Sequence, residues 1–263
     1  MAKRRDILLT GLWGVASLPA WAADDPTGGD PLGSMQWPDL RRKYAQDAPL
    51  RFTDAVRVRA PAFADDALNV PLQIDARALQ TVGGGIARMV VIADRNPIRE
   101  VLAFEPLQAL PLLALRIRLE QASPVRCLVQ TRDGHWHVGA ALVQAAGGGC
   151  TVPGVTRADG SWSQTLNQVH ARFFSHLTDG TRRLRLQIMH PMDTGLVAGV
   201  PALYIEQLEL QDAAQQPWWR MQLHEPVSEN PLLTVEMPLQ GPKAFRLLGQ
   251  DNHGNRIDAT VRG

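Results

Sequence analysis

The stretch LLALRIRLE, residues 112–120, carries the pattern that decides the fold. Its apolar side chains recur at every second position, at Leu113, Leu115, Ile117 and Leu119. The positions between them are Ala114, Arg116, Arg118 and Glu120. Consecutive side chains of a strand point to opposite faces, so the pattern predicts a strand with one buried face and one face in water. Arg118 and Glu120 are expected on the water face.

Short runs of the same kind recur along the chain in two sets. The first set lies at 70–74, 89–92, 101–104, 125–130 and 136–143. The second lies at 170–174, 184–189, 203–210, 218–223, 232–237, 245–250 and 257–261. Turn-forming residues separate the runs, and only one short helix is predicted, from Trp37 to Tyr44. The sequence therefore predicts an all-β protein with two immunoglobulin-like antiparallel β-sandwich domains side by side.

The first residues have the pattern of a cleavable export signal. Arg4 and Arg5 precede an apolar run over 7–21, and the small residues Ala20 and Ala22 flank the last position of that run. This arrangement is typical of a secretory signal, and the paired arginines are typical of the twin-arginine type. We expect export to the periplasm and no membrane span in the mature chain.

The pattern divides the chain into five segments. The region around residues 145–162 is rich in glycine and turn-forming residues and lacks apolar periodicity, which is typical of a linker. The expected segments are a signal peptide (1–22), a leader with the short helix (23–50), a first sandwich (51–146), a glycine-rich loop and linker (147–163) and a second sandwich (164–263).

The overall charge argues against a nucleic-acid partner. The formal net charge is +1 at pH 7, so the chain lacks the strongly basic field that binds phosphate backbones. The two cysteines are too few for a disulfide scaffold in a chain of 263 residues. We expect no cofactor, no metal ligand and no catalytic residue.

The two cysteines occupy different settings. Cys127 is in phase with Val125 and Val129, which predicts a side chain that points into the sandwich. Cys150 directly follows the glycines Gly147–Gly149. A glycine run costs conformational entropy and buries nothing, so it suggests a thin arm that presents a nucleophile to solvent. The Cys150 thiol is therefore expected to be exposed, and a carrier role for it depends on that exposure.

The N-terminal half resembles SoxY, the sulfur-carrying subunit of the bacterial thiosulfate-oxidation system. The resemblance lies in VVIADRNPIREVLAFEP (90–106) and in LRIRLEQASPVRCLVQTRDGHWHVGAALVQAAGGGC (115–150). The C-terminal half resembles SoxZ through LRLQIMHPMDTG (184–195), ALYIEQLELQ (202–211), WWRMQLHEPVSENP (218–231) and LLGQDNHGNRIDA (247–259). The order is that of a fused SoxY and SoxZ, similar to the SoxYZ-like carriers associated with quinoprotein dehydrogenases.

This resemblance implies a function. It implies a periplasmic carrier, not an enzyme, that binds a sulfur-containing intermediate covalently on Cys150, with Gly147, Gly148 and Gly149 as its arm. The implied partners are sulfur-oxidation enzymes or a periplasmic quinoprotein dehydrogenase system. In SoxY the cysteine lies in GGCGG at the chain end, whereas here the arm reads GGGCTVPG and continues into the second half. Thr151 and Val152 are bulkier than the glycines of that tail, so they would hinder entry of the arm into partner active sites that accept only glycine beside the cysteine.

Other hypotheses remain open on the residues alone. One is a structural or binding module associated with a quinoprotein dehydrogenase, without covalent cargo. In a purely structural module, Cys127 and Cys150 would form a disulfide. A Cys-His hydrolase would need a histidine beside Cys150.

Two histidine-containing patterns also have more than one interpretation. A metal site would use His135 and His137, which share a strand face, together with His190, Met189 and Met192. The segment HPMDTG, residues 190–195, is interpreted as a turn rather than a binding site, because proline, aspartate and glycine there all favour turns.

Overall fold

Strands make up most of the regular secondary structure, as the alternating pattern predicts. The computed structural model describes residues 27–158, 160–176 and 179–262, so the predicted signal peptide lies outside the described residues. The helices are α1 (Trp37–Ala45) and α2 (Trp162–Thr165). In the N-terminal half the strands are β1 (Leu50–Phe52), β2 (Arg57–Arg59), β3 (Phe63–Ala64), β4 (Val70–Asp75), β5 (Ile86–Ala93), β6 (Glu100–Glu105), β7 (Leu112–Ile117), β8 (Ser123–Thr131) and β9 (Trp136–Ala145). In the C-terminal half they are β10 (Val169–His176), β11 (Thr181–Ile188), β12 (Ile205–Gln211), β13 (Pro217–Leu223), β14 (Leu232–Pro238), β15 (Ala244–Asp251) and β16 (Arg256–Arg262).

Two sheets pack face to face to form the sandwich. The first has the order β1-β9-β8-β5-β6-β13-β12-β15-β16, with β3 added beside β9, and the second has the order β10-β11-β14-β7-β4-β2. β1 and β3 run parallel to β9, and the other pairings are antiparallel. Both halves are immunoglobulin-like sandwiches, which confirms the predicted fold class.

The sheets continue from one half into the other. In the first sheet β6 pairs with β13, from Glu105 opposite Arg220 to Leu102 opposite Leu223. In the second sheet β7 pairs with β14 through Leu113 and Ala114. One apolar core extends through both halves between the sheets, because their inward side chains meet across these junctions. The two sandwiches thus share hydrogen-bonded sheets as well as a packed interface.

The predicted alternation on β7 holds for its apolar face. Leu113, Leu115, Ile117 and Leu119 are all buried. The prediction for the opposite face is wrong at Arg118, which is only 2% exposed. β7 ends at Ile117, so Arg118 lies in the segment that leaves the sheet and is covered by chain from elsewhere.

The N-terminal segment covers the outer face of the first sheet. Trp37 and Leu40 of α1 pack with Leu128 and Trp136, in a second apolar cluster outside the sandwich. Neither helix in the described part of the chain has the length and apolar surface required to cross a bilayer.

Candidate functional site

The loop that follows β9 turns back onto the N-terminal half. Gly147 and Gly148 have φ angles of 101° and 78°, which glycine adopts without a steric penalty. The Gly148 N–H donates to the Glu120 carbonyl at 2.9 Å, and the Gly149 N–H donates to the Leu119 carbonyl at 3.1 Å. The predicted arm reaching into solvent is therefore wrong, because the glycines form a turn docked against residues 119–120.

Gly149 is at a point of close backbone approach. A β-carbon there would overlap the Ala67 carbonyl oxygen and would lie 2.6 Å from the Leu119 carbonyl oxygen. Leu119 itself donates its N–H to Ala67 at 2.9 Å, so these groups are fixed. Only glycine fits this contact, which gives the third glycine a steric function in docking.

The Glu120 carboxylate accepts hydrogen bonds from Cys150 and from Thr151, the next residue in the loop. One carboxylate oxygen accepts the Cys150 N–H at 3.0 Å, and the other accepts the Thr151 hydroxyl at 2.9 Å. Hydrogen bonds to an ionised group are about twice as strong as those between neutral groups. The Glu120 side chain thus links the N-terminal half to the loop.

The C-terminal half holds the same loop from the other side. The Thr194 hydroxyl donates to the Cys150 carbonyl at 2.7 Å. Thr194 belongs to the segment 190–195, in which Met192 and Gly195 have positive φ angles. The predicted turn is therefore present, and it also contacts the cysteine of the loop.

The chain after Cys150 is fixed by acidic side chains of the C-terminal half. Glu229 accepts the Val155 N–H at 3.2 Å and the Thr156 N–H at 2.9 Å. Asp193 pairs with Arg157 at 2.6 Å. The loop consequently spans the junction and is tied to both halves.

The Cys150 thiol is buried, contrary to the sequence-based prediction. The residue is 1% exposed and the thiol is free. Burial raises the pKa of the thiol to about 12, the Glu120 charge adds to the rise, and Arg118 opposes it. The thiolate is the nucleophilic form, so the docked thiol is protonated and unreactive at neutral pH. The prediction failed because the burial comes from residues 118–120 and 190–195, which are distant in sequence.

Cys127 lies inside the sandwich, as predicted. It is fully buried and free, and burial raises its pKa. Both thiols being free, the structure does not contain the disulfide of the structural-module hypothesis.

Arg118 lies beneath the loop. Its guanidinium donates to the Gly149 carbonyl and to the Pro191 carbonyl, each at 3.4 Å. Its Nε atom is buried without a hydrogen-bond partner in the described part of the chain. Desolvation lowers the pKa of Arg118, and the charges of Glu229 and Cys150 act against that lowering.

Arg118, Glu120, Thr194 and Glu229 are residues of this site that the sequence pattern did not identify. The one available sequence signal was the presence of two charged residues, Arg118 and Glu120, at the end of the run 112–120. The period-two pattern assigned both to the face in water.

The histidines are distributed away from a common centre. His137 is buried and its Nδ1 accepts from Arg51 at 3.3 Å, while His135 pairs with Asp133 at 3.1 Å. Within the described ranges, no three His, Cys, Asp or Glu side chains come together as a metal site. His190 is buried beside Asp251, and desolvation lowers its pKa to about 4. Among the described residues, no hydrogen bond joins a histidine to the Cys150 thiol, which the hydrolase hypothesis would require.

Two family models match the chain in succession. The model of the sulfur oxidation protein SoxY matches residues 40–150, and that of the sulphur oxidation protein SoxZ matches residues 174–262. The sulfur carrier protein SoxY from Chlorobium limicola f thiosulfatophilum has a solved structure that resembles the chain with a TM-score of 0.36 and 19% identity. That similarity covers 42% of this chain and 96% of the other. No curated protein matches the chain.

The two matched ranges together cover well over half of the sequence and follow one another without overlap. Proteins of these families are carriers rather than enzymes, and their system is periplasmic. The SoxY match ends at Cys150, the residue that the loop encloses between the two halves. The chain is a fusion of a SoxY domain and a SoxZ domain, the two parts of the sulfur carrier complex of sulfur oxidation.

Proposed function

We propose that the chain is a periplasmic carrier that binds a sulfur-containing intermediate covalently on Cys150 and presents it to partner enzymes of sulfur oxidation. The observation that carries the proposal is the position of Cys150. It is the last residue of the SoxY match, and it lies in a loop held by Glu120 of one half and Thr194 of the other. A carrier supplies location, because tethering raises the effective concentration of the cargo at each partner.

The burial of the thiol adds an opening step to this function. A thiol that is 1% exposed is inaccessible to an enzyme's active site, so the loop has to leave its docking site before loading and delivery. Opening breaks the two hydrogen bonds to the Glu120 carboxylate and the one from Thr194, together with the backbone bonds of Gly148 and Gly149 and the bond from Arg118 to the Gly149 carbonyl. The strands on either side keep their pairing. Such a bond contributes about 1 kcal/mol net, or about 1.5–3 kcal/mol where the Glu120 carboxylate accepts it, so the loop can open locally in a protein that stays folded.

The arm of this carrier is anchored at both ends. Gly147, Gly148 and Gly149 give the N-terminal side its turn, and the C-terminal side continues through Val152 to the contacts with Glu229. The opened loop is therefore a projecting hairpin rather than a free tail. A partner enzyme for this carrier needs a cleft wide enough for two strands of chain.

The same burial favours a second candidate function. A structural or binding module associated with a quinoprotein dehydrogenase would have no need of an exposed thiol, and a closed loop with a protonated cysteine fits it. In that case the loop joins the halves and Cys150 fills space.

Intact-protein mass distinguishes the two functions. Protein isolated without reductant from its native periplasm is expected to show an added mass that peptide mapping locates on Cys150 and that reductant removes. Cys150→Ser should lose the addition and the matched variant Cys127→Ser should keep it. An unmodified Cys150 under conditions of active sulfur oxidation would support the module without cargo.

Localisation and segment boundaries belong to the same proposal. The system of both families is periplasmic, which supports cleavage of residues 1–22 as a signal peptide. N-terminal sequencing of the exported protein should therefore begin at Ala23. We further propose the boundaries 51–146 and 164–263 for the two sandwiches, with residues 147–163 between them.

A further inference from the structure

We propose that Arg118 is the anion-binding residue of the carrier loop, which binds the charged end of an anionic group carried on Cys150 and thereby retains anionic cargo more strongly than neutral cargo. This inference rests on the proposed function, because it assigns a charge preference to the same site.

The Arg118 guanidinium has spare hydrogen-bonding capacity. The side chain is 2% exposed, and it carries five N–H donors. Two of its nitrogen atoms make hydrogen bonds of 3.4 Å, at the long end of the range, and its Nε makes none among the described residues. No carboxylate in the described part of the chain lies within ion-pair distance of it. A buried cation in this state is costly unless an anion completes it.

The fully paired Arg126 shows the contrast within the same protein. Arg126 is also buried, but it forms ion pairs with Asp30 at 2.7 Å and with Asp94 at 2.9 Å. The chain therefore pairs Arg126 directly with two carboxylates, whereas Arg118 has none within ion-pair distance and is acted on only by more distant charges such as that of Glu229. The difference points to a ligand that is only sometimes present at Arg118.

Arg118 also lies directly beneath the part of the loop that contains Cys150. The guanidinium donates to the carbonyl of Gly149, the residue directly before the cysteine. A β-carbon placed on Gly154 would lie 3.2 Å from Arg118 Nη2, so the loop from 149 to 154 arches over the guanidinium. The Cys150 side chain points inward from the same arch, since it is buried.

The chemistry of the guanidinium defines the class of cargo. A planar guanidinium binds carboxylate-like and phosphate-like oxygens through parallel N–H donors. A sulfur group ending in a sulfonate presents three such oxygens and one negative charge. After the loop shifts to make room, the sulfonate oxygens would replace the Gly149 and Pro191 carbonyls as hydrogen-bond acceptors of Arg118.

The experiment uses two adducts of similar size and different charge on Cys150 in the full chain, in a Cys127→Ser background. Sulfonatoethyl methanethiosulfonate gives an anionic adduct and hydroxyethyl methanethiosulfonate gives a neutral one. In each case the Cys150 thiolate attacks the sulfenyl sulfur of the reagent. The new S–S bond replaces the S–S bond of the reagent, methanesulfinate leaves, and the thiol proton goes to solvent.

The measured quantity is the rate at which a phosphine reductant removes each adduct from native protein, divided by the rate in denaturant. This ratio cancels the intrinsic reactivity of each adduct. We expect the native state to protect the anionic adduct at least about tenfold more than the neutral one, the size of effect that a charge-assisted hydrogen bond gives. Arg118→Gln should abolish the difference and Arg118→Lys should retain part of it.

Arg116→Gln is the matched control. Arg116 lies two residues earlier on β7 and is exposed, so its variant should keep the full difference. Equal protection of both adducts in the otherwise unchanged chain overturns the assignment of Arg118 even if Arg118→Gln does not fold, and leaves the carrier function intact. Failure of native Cys150 to accept either reagent overturns the carrier function and the assignment together.

Discussion

At the scale of single residues, the state of Cys150 is set by a few neighbours that hold the loop. Glu120 accepts two hydrogen bonds from it, Thr194 donates one to it, and Gly149 allows the backbone to approach Ala67. These contacts make the thiol buried and protonated without any covalent restraint. Altering them should change thiol reactivity more than it changes the fold.

Gly149→Ala tests the close approach. The added β-carbon overlaps the Ala67 carbonyl oxygen, so we expect a loss of about 1–3 kcal/mol in the free energy of unfolding and faster alkylation of native Cys150. Chemical denaturation and labelling followed by mass spectrometry measure the two effects. Gly160→Ala is the control, because a β-carbon at Gly160 has open space and meets only the strain of a positive φ. Unchanged alkylation in Gly149→Ala would show that the contact does not keep the loop closed.

Glu120→Gln tests both the hydrogen bonds that Glu120 accepts from the loop and the effect of its charge on the thiol pKa. The amide keeps one acceptor oxygen and removes a negative charge that raises the Cys150 pKa, so that pKa should fall below about 12. The pH profile of native alkylation should move to lower pH, and the rate at fixed pH should rise about tenfold. Glu105→Gln, at an exposed pair with Arg220, should leave both quantities unchanged. A pH profile identical to that of the unaltered protein would show that Glu120 does not control the reactivity of Cys150.

At the scale of elements, the sequence predicted the strands well and the loop poorly. All thirteen runs with period two became strands, because alternation reports directly which face of a strand meets the core. The same pattern misassigned Arg118, since its burial depends on residues 149–154 and 191 rather than on its own strand. The exposure of Cys150 failed for the same reason. Local pattern carries no information about which distant chain covers a loop.

The N-terminal segment is an element whose attachment can be tested by pH. Asp30 reaches Arg126, which is fully buried and lies over the Trp37 ring at 4.4 Å. Burial alone would raise the Asp30 pKa, but the bonds from Arg126, Leu32 and Ser34 lower it overall. A carboxyl whose folded pKa is lowered stabilises the fold fully above its unfolded pKa of about 4, and this stabilisation is lost as pH falls through the folded pKa.

Asp30→Asn should therefore cost about 3 kcal/mol at neutral pH, because it leaves part of a buried guanidinium unpaired. The cost should shrink below about pH 4, where Asp30 of the unaltered chain also begins to lose its charge. Urea unfolding at several pH values measures this. Asp39→Asn, which removes an exposed pair with Arg42, should change stability by less than about 1 kcal/mol at any pH. A pH-independent cost would contradict the ionic attachment.

At the scale of the whole molecule, the two halves form one sandwich system. Their sheets are joined at β6–β13 and β7–β14, and one apolar core runs through both. The interface between the halves is held by paired strands, and the linker over residues 147–163 connects the same two halves covalently. The carrier loop is bound to both halves, so its opening depends on a junction that stays intact.

A protease site inserted between Gly160 and Ser161 tests this unity. Both residues are exposed, so cleavage there should leave the core undisturbed. The two fragments should co-elute in gel filtration and unfold in a single transition, as the uncut protein does. Fragments that separate under native conditions would show that the linker, and not the paired strands, holds the halves together.

Local opening of the docked loop is proposed to make Cys150 reactive. Its most direct test is the alkylation rate of native Cys127→Ser protein, measured against added denaturant and compared with the rate of global unfolding. We predict a Cys150 rate well above the global unfolding rate and nearly independent of low denaturant, because a local opening exposes little surface. A Cys150 rate equal to the global unfolding rate, with the same denaturant dependence, would contradict the carrier account.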